Sequence, residues 1–253
     1  MRLSGKVAVV TGAALGLGCA VATRFAREGA IVVAADINEP VGLALAKKLT
    51  RDGAEASFVH ADVADEKAVK SLFESTVARH KRIDILYNNA GVLPYERDAP
   101  AHELTLATWD YVMSVNLRGA FLCGKYALPA MLQQRSGSII YVGSRTGLFG
   151  CAPNVTAYST SKAGIAGLTR VMAATYAPHQ IRVNSIIPGT MDTPMNGDVL
   201  SNEALREEYR RAVPLGRLGV PEDIEGLAVF LASDESSFCT GGLYTCDGGL
   251  TAV

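Results

Sequence analysis

A chain of 253 residues with 24 Lys+Arg against 25 Asp+Glu carries a formal net charge of −1, and 49% of it is hydrophobic and 19% charged. That balance excludes a disordered polypeptide, and 25 glycines are far too few for collagen, which needs one at every third position. Near-neutral charge with no basic run longer than two residues argues against a nucleic-acid partner, whose phosphates are held by clustered Lys and Arg.

Taken in order, KVAVV (6–10) precedes a helix near 17–28, IVVAAD (31–36) a helix near 40–51, and ASFVHAD (56–62) a helix near 66–80. IDILYNN (83–89) leads into a long helical region at about 106–133, and SIIYVGS (138–144) into a helix near 157–176. IRVNSIIPG (181–189) is followed by the segment 200–211 and a helix at about 221–232, and LYTCD (243–247) closes the set. Continuous apolar strands separated by helices of this length imply parallel strands covered on both faces. The expected fold is therefore α/β and Rossmann-like: a single doubly wound parallel sheet with helices on both faces and right-handed crossovers. No linker marks a second domain, so residues 1–253 read as one unit. The segment 190–214 lacks strand periodicity and mixes Met191, Met195, Leu200, Leu205, Tyr209 and Val213 with charges. Beyond the carboxyl end of a strand that is the usual form of a binding lid, a plain surface helix being the alternative.

Arg2 and Lys6 ahead of the uncharged stretch Val7–Ala22 imitate a signal peptide, but Gly12, Gly16 and Gly18 interrupt it, and no 18-residue apolar span occurs anywhere. Cys19, Cys123, Cys151, Cys239 and Cys246 are odd in number, scattered and without a C-x-x-C, which reads as free thiols in a reducing compartment. A cytoplasmic protein with no membrane partner is expected. His60, His80, His102 and His179 show no metal-ligand spacing, so no metal is expected.

Directly after the first strand, Thr11-Gly12-Ala13-Ala14-Leu15-Gly16-Leu17-Gly18 opens a helix. Three glycines at such a turn permit a tight bend, close approach of backbone to a pyrophosphate and close helix–strand packing, with the helix N-terminus aimed at the anion. Asp36 closes the second strand, where a carboxylate accepts hydrogen bonds from an adenosine ribose. A structural glycine turn with an incidental Asp is the bland alternative. Because a carboxylate beside a 2′-phosphate is a like-charge contact, and Ala13, Ala14, Leu15, Ile37 and Asn38 supply no cation, the expected cofactor is NAD in preference to NADP.

Ser144 ends the fifth strand, and Tyr158 and Lys162 stand at i and i+4 on one face of the next helix. Bringing a phenol pKa from about 10 to about 7 takes roughly 4 kcal/mol. A cation about 5 Å away at an effective dielectric of about 20 supplies on the order of 3 kcal/mol. Tyr158 is thereby a candidate general acid/base, although an isolated Y-x-x-x-K is more often a core tyrosine with a solvated lysine; the dinucleotide loop reverses that balance.

TGAALGLG (11–18), Asp36, Asp62-Val63, NNAG (88–91), Asn116, Ser144, YSTSK (158–162) and PGTMDTPM (188–195) together resemble the short-chain dehydrogenase/reductase family, in order and over the whole chain. The resemblance implies seven parallel strands, hydride transfer between a nicotinamide and an alcohol or carbonyl, and a homotetramer or homodimer. It also implies the site roles. Tyr158 exchanges the proton with the substrate oxygen, Lys162 lowers its pKa and holds the nicotinamide ribose, Ser144 hydrogen-bonds the substrate oxygen, and Asn116 holds a water linking Lys162 to solvent. For the cofactor it implies Gly12, Gly16, Leu17 and Gly18 at the pyrophosphate and Asp36 and Ile37 at the ribose. Asp62 and Val63 would meet the adenine, Asn89, Ala90 and Gly91 the adenosine side, and Pro188, Gly189, Met191 and Thr193 the carboxamide. Asn88 is expected to tether strands.

Two departures stand out. Gly143 precedes Ser144 where a second serine is frequent, and the step from Ser144 to Tyr158, 158 − 144 = 14, is one residue longer than the family spacing. The extra residue falls in the loop 145–156 bordering the substrate. Arg145 either pairs with a substrate carboxylate or points to solvent or a neighbouring subunit. Pro94, Tyr95, Leu148, Phe149, Met191, Met195, Leu200 and Tyr209 are the candidate substrate-lining residues, and their apolar character suggests a hydrophobic or cyclic secondary alcohol or its ketone. Ser159-Thr160-Ser161-Lys162 also matches the S-x-x-K of serine acylases, but no Ser-Asp-Asn or Lys-Thr-Gly accompanies it. A non-catalytic NAD(H)-binding sensor of the same fold is the remaining alternative.

Overall fold

A computed structural model describes residues 1–149 and 152–253. Each apolar run is a parallel strand and each helical pattern a crossover. The strands are β1 (Val7–Thr11), β2 (Ile31–Asp36), β3 (Ala56–His60), β4 (Ile85–Asn88), β5 (Gly137–Val142), β6 (Ile181–Pro188) and β7 (Leu243–Cys246). The helices are α1 (Gly16–Arg27), α2 (Glu39–Arg51), α3 (Glu66–His80), α4 (Leu106–Met113), α5 (Ala120–Gln134), α6 (Thr156–Tyr176), α7 (Gly197–Leu200), α8 (Glu203–Ala212) and α9 (Glu222–Ala232). Among the described residues they form one seven-stranded sheet, ordered β3-β2-β1-β4-β5-β6-β7, with every pairing parallel.

Alternation along the strands divides the core in two. Ala8, Val10, Ile85, Tyr87, Ile140 and Val142 face α1, α2 and α9, where Phe25 meets Tyr87 edge-on at 6.0 Å between ring centroids. Val9, Leu86, Ile139 and Tyr141 face α3, α5 and α6. Burying both faces is what makes these strands continuous apolar runs. The stretch resembling a signal peptide is β1, its loop and α1.

Strand order reverses direction between β1 and β4, and a crevice opens there at the carboxyl ends of the strands, the usual ligand site of such sheets. The long helical region is not continuous: a π-helical segment, Ser114–Gly119, separates α4 from α5, and π segments of this kind concentrate at functional sites. The lid segment likewise breaks into α7 and α8, with Asn202 capping α8 through the N–H groups of Ala204 and Leu205. Cys19, Cys123, Cys239 and Cys246 are free, while Cys151 lies outside the described residues. No described helix is long and apolar enough to cross a membrane.

Candidate active site

The loop after β1 is shaped by glycines that no other residue could replace without rearrangement. Gly12 has φ +63°, and a Cβ there would lie 2.8 Å from Ala90 Cα; one on Gly18 would lie 2.0 Å from the Gly12 carbonyl oxygen. Gly18 is thus the close-packing glycine, turned inward rather than lining the crevice. Leu15, at the N-cap of α1, offers no side-chain cap, which leaves the first amides of the helix open to a ligand. Asn89 ties β4 to this loop by donating from Nδ2 to the carbonyls of Thr11 and Gly12 at 3.2 and 3.1 Å. Asn88 accepts from Thr11 Oγ1 at 3.2 Å and donates to the Ala120 carbonyl at 2.9 Å, the tether expected of it. Asp36 takes the Ala14 N–H on one oxygen and the Asn38 N–H on the other, both at 2.9 Å, so its carboxylate is fixed at the rim of the loop.

Beyond β5, Ser144 lies within reach of α6 because Gly147 lets the loop touch helix backbone: a Cβ there would meet Ala163 N at 2.5 Å. Gly143 stands where a side chain would press on Ile187 Cδ1, 2.5 Å from the position of a Cβ. The Ser144 hydroxyl is oriented by Thr146, Oγ to Oγ1 at 3.1 Å. Tyr158 and Lys162 are both buried on α6. Lys162 Nζ donates to the Val142 carbonyl at 2.8 Å and lies 5.8 Å from the centroid of the Tyr158 ring. Burial pushes the Tyr158 phenol above its ordinary value while a hydrogen bond with Ser144 opposes this, and burial brings Lys162 down to about 8. In the free chain, desolvation therefore outweighs the hydrogen bond from Ser144.

Asn116, in the π segment, is fully buried. Its Oδ1 accepts the Val92 N–H at 2.7 Å, and its Nδ2 donates to the Val92 carbonyl at 2.9 Å and to Ser161 Oγ at 3.1 Å. Ser161 Oγ in turn donates to the Tyr158 carbonyl at 2.7 Å, so Asn116 links the segment after β4 to the turn carrying Tyr158. Its side chain is a clamp between these two elements.

One residue that sequence reasoning missed is Asp98. Buried, it accepts the N–H groups of Ala157 and Tyr158 at 3.0 and 2.9 Å, capping α6 where Val155 offers no side chain to do so. Fifty-nine positions separate it from Ala157, and no local pattern announces such a cap.

A cavity of about 270 Å³ runs from the glycine loop to Tyr158. It brings together Gly12, Gly16, Leu17, Asp36, Asn89, Ala90, Gly91, Ser144, Tyr158, Lys162, Pro188, Gly189, Met191 and Thr193, adding Ala14, Leu15, Val142, Gly143, Pro194, Met195 and Asn196. Gly18, Ile37, Asp62, Val63 and Asn116 are not in its lining: Ile37 is exposed, Asp62 accepts the Ala64 N–H at 2.8 Å, and Val63 packs where a Gly119 Cβ would be. A second cavity, of about 520 Å³, adjoins it at Ser144 and Tyr158 and is lined on one side by residues of the segment 190–214. Tyr95, Met195, Leu200 and Tyr209 line it as expected and Arg145 with them; Pro94, Leu148, Phe149 and Met191 do not, Phe149 being exposed. The segment 190–214 is fastened by an Arg206–Asp192 ion pair and by Asn196, which takes the Tyr95 hydroxyl at 2.9 Å and donates to the Met191 carbonyl at 2.8 Å.

This arrangement is a nucleotide crevice ending on a buried Ser-Tyr-Lys cluster, and comparison with known proteins agrees. A family model described as enoyl-(acyl carrier protein) reductase matches residues 12–251. The chain belongs to the short-chain dehydrogenase/reductase family. It is 43% identical to cis-4-hydroxycyclohexanecarboxylate dehydrogenase of Sinomonas cyclohexanicum, with 98% of this chain and 97% of that one covered. To 3-oxoacyl-(acyl-carrier-protein) reductase of Thermotoga maritima it is 41% identical, with 99% of each covered. A crystal structure from Beutenbergia cavernae, described as an NAD(P)-dependent gluconate 5-dehydrogenase and holding NADP at low occupancy, superposes with a TM-score of 0.94 at 37% identity, covering 100% of this chain and 99% of that one. As a family member the chain is an oxidoreductase that binds a nicotinamide dinucleotide.

Proposed function

We propose that this short-chain dehydrogenase/reductase interconverts a cyclic or otherwise hydrophobic secondary alcohol and its ketone, with NAD(H) as cofactor and Tyr158 as general acid/base. The observation that carries the proposal is the meeting of the two cavities at Ser144 and Tyr158, so that one pair of hydroxyls faces both the nucleotide crevice and the space under the lid.

The glycine loop fits a dinucleotide: its cradle is one that Cβ atoms at Gly12 and Gly18 would fill. Gly12 and the amides of Leu15 to Leu17 would hold the pyrophosphate and Asp36 the adenosine ribose, with Asn89 to Gly91 beside it. Tyr158 and Lys162 would hold the nicotinamide ribose, and Pro188 to Thr193 the carboxamide. When bound, the nicotinamide supplies the hydride acceptor or donor. Preference for NAD is supported by Asp36, because Lys162 is the one cation among the described residues lining this crevice. A 2′-phosphate near Asp36 would lie against a carboxylate with no compensating charge.

In oxidation, Tyr158 Oη accepts the proton of the substrate hydroxyl, while Ser144 Oγ, steadied by Thr146, donates to the substrate oxygen and fixes its position. Lys162 steadies the negative charge on the phenolate, in a pocket dry enough for that charge to count. In reduction the same two hydroxyls donate to the carbonyl oxygen. Leu93, Val155, Met195 and Leu200 give this cavity apolar surface for a hydrocarbon ring, beside the polar groups of Arg145, Thr146, Asn154 and Asn196. The whole chain would act as one cofactor-binding and catalytic unit with 190–214 as its lid. Assembly into a homodimer or homotetramer is supported by exposed Leu106, Phe121, Val171 and Phe238. Light scattering should then give two or four times the 26.7 kDa chain mass, and a monomer would contradict it. Appearance of NADH from NAD and a cyclic secondary alcohol tests the reaction itself. A sensor that binds NADH and never turns it over is the reading that would replace it.

A further inference from the structure

We infer that Arg145 is the anion anchor of the cavity beneath the lid, and that the substrate is a cyclic secondary alcohol bearing a carboxylate on a ring carbon remote from the carbinol. The inference rests on the dehydrogenase reading and adds a substrate class to it.

Arg145 lines the cavity of about 520 Å³ beside Ser144 and Tyr158. Its backbone is fixed: it opens the 3₁₀ turn Arg145–Gly147, and its carbonyl takes the N–H groups of Leu148 and Phe149 at 3.0 and 2.9 Å. Burial raises the Tyr95 phenol on the wall of the same cavity, and the nearby Arg145 charge opposes that rise. Arg145 is half-buried, and its guanidinium has no hydrogen-bond or ion-pair partner among the described residues. Asp98 holds the amides of α6 and Asp192 is paired with Arg206. Glu208 also lines the cavity, but it is exposed on α8 and forms no ion pair with Arg145.

A guanidinium in a cavity also lined by Leu93, Val155 and Leu200, with its planar fork unfilled among the described residues, is matched by a carboxylate, which takes two parallel N–H bonds. A 2-hydroxy acid would bring its carboxylate onto the Ser144–Tyr158 pair itself. A ring separates the two groups, letting the hydroxyl reach Tyr158 while the carboxylate reaches Arg145 and the methylenes cover the apolar wall.

The test uses the purified enzyme with NAD and a matched pair, cis-4-hydroxycyclohexanecarboxylate and its methyl ester, on wild type, Arg145→Gln and Arg145→Lys. A second arm measures by calorimetry the binding of cyclohexanecarboxylate, which has no hydroxyl to oxidise, to the enzyme–NADH complex. Wild type is expected to favour the acid over the ester in kcat/KM by about 10- to 100-fold, the range of a charge-assisted hydrogen bond. R145Q is expected to bring that ratio near one and to weaken cyclohexanecarboxylate binding by at least about tenfold, with R145K between. Equal use of acid and ester by wild type, or a preference that survives in R145Q, overturns the anchor. If neither compound is oxidised, binding of cyclohexanecarboxylate that depends on Arg145 upholds the anchor and counts against the dehydrogenase reading for this ring; absence of such binding overturns the anchor.

Discussion

Burial sets the terms at Tyr158 and Lys162: it raises the phenol above its ordinary value and brings the amine to about 8. Oxidation needs the Tyr158 phenol deprotonated, with the Lys162 ammonium beside it. Alcohol oxidation is therefore expected to rise with pH along a limb set by ionisation of the buried Tyr158 phenol. In Lys162→Met the phenolate loses its neighbouring cation, so the limb moves to higher pH and kcat/KM at pH 8 falls by at least about 100-fold. A pH–rate profile in which the variant keeps the wild-type limb would contradict this. Asp36 makes the other residue-scale prediction. Asp36→Ala removes the carboxylate that repels a 2′-phosphate, and the ratio of Kd for NADPH to Kd for NADH is expected to fall by about tenfold or more, as removal of a close like-charge contact implies. Fluorescence titration with both coenzymes reads it directly, and an unchanged ratio rejects the role given to Asp36.

Strand and helix order could be read from the sequence because the central strands are buried on both faces and the crossovers are amphipathic, so hydrophobic periodicity carries the information. Tyr158 and Lys162 were legible for a related reason, since i,i+4 spacing on one helix is local. What the sequence hid is held by distant contacts. The cap on α6 comes from Asp98, in a loop after β4; the π segment that presents Asn116 lies inside an uninterrupted helical pattern; and Asn196, which joins the lid to Tyr95, is one polar residue in a mixed stretch. Asp98 positions the catalytic helix without touching the reacting atoms. Asp98→Ala leaves the buried amides of Ala157 and Tyr158 unpaired, at a cost of about 3 kcal/mol, which for a chain of this size lowers Tm by roughly 6–12 °C. Asp98→Asn, which keeps an acceptor, is expected to lose less. A thermal melt followed by circular dichroism that finds D98A as stable as wild type would remove Asp98 from this role.

At the scale of the whole molecule, the doubly wound sheet delivers the ends of β1, β4, β5 and β6 to one edge, and on that edge the glycine loop, Asn89, Ser144 and Pro188 converge. The remaining element is the segment after β6, which folds over the Ser144–Tyr158 pair and closes the second cavity. Chemistry at the join of the two cavities is the central claim, and one measurement addresses it most directly: NADH formation from NAD over a panel of aliphatic, cyclic, steroidal, polyol and hydroxy-acid secondary alcohols, with Tyr158→Phe alongside. The expected result is turnover confined chiefly to cyclic alcohols and lost by at least about 1,000-fold in Y158F, as removal of an essential general acid/base predicts, while NADH still binds. Turnover that persists in Y158F, or NADH binding without turnover of any alcohol in the panel, would contradict the account.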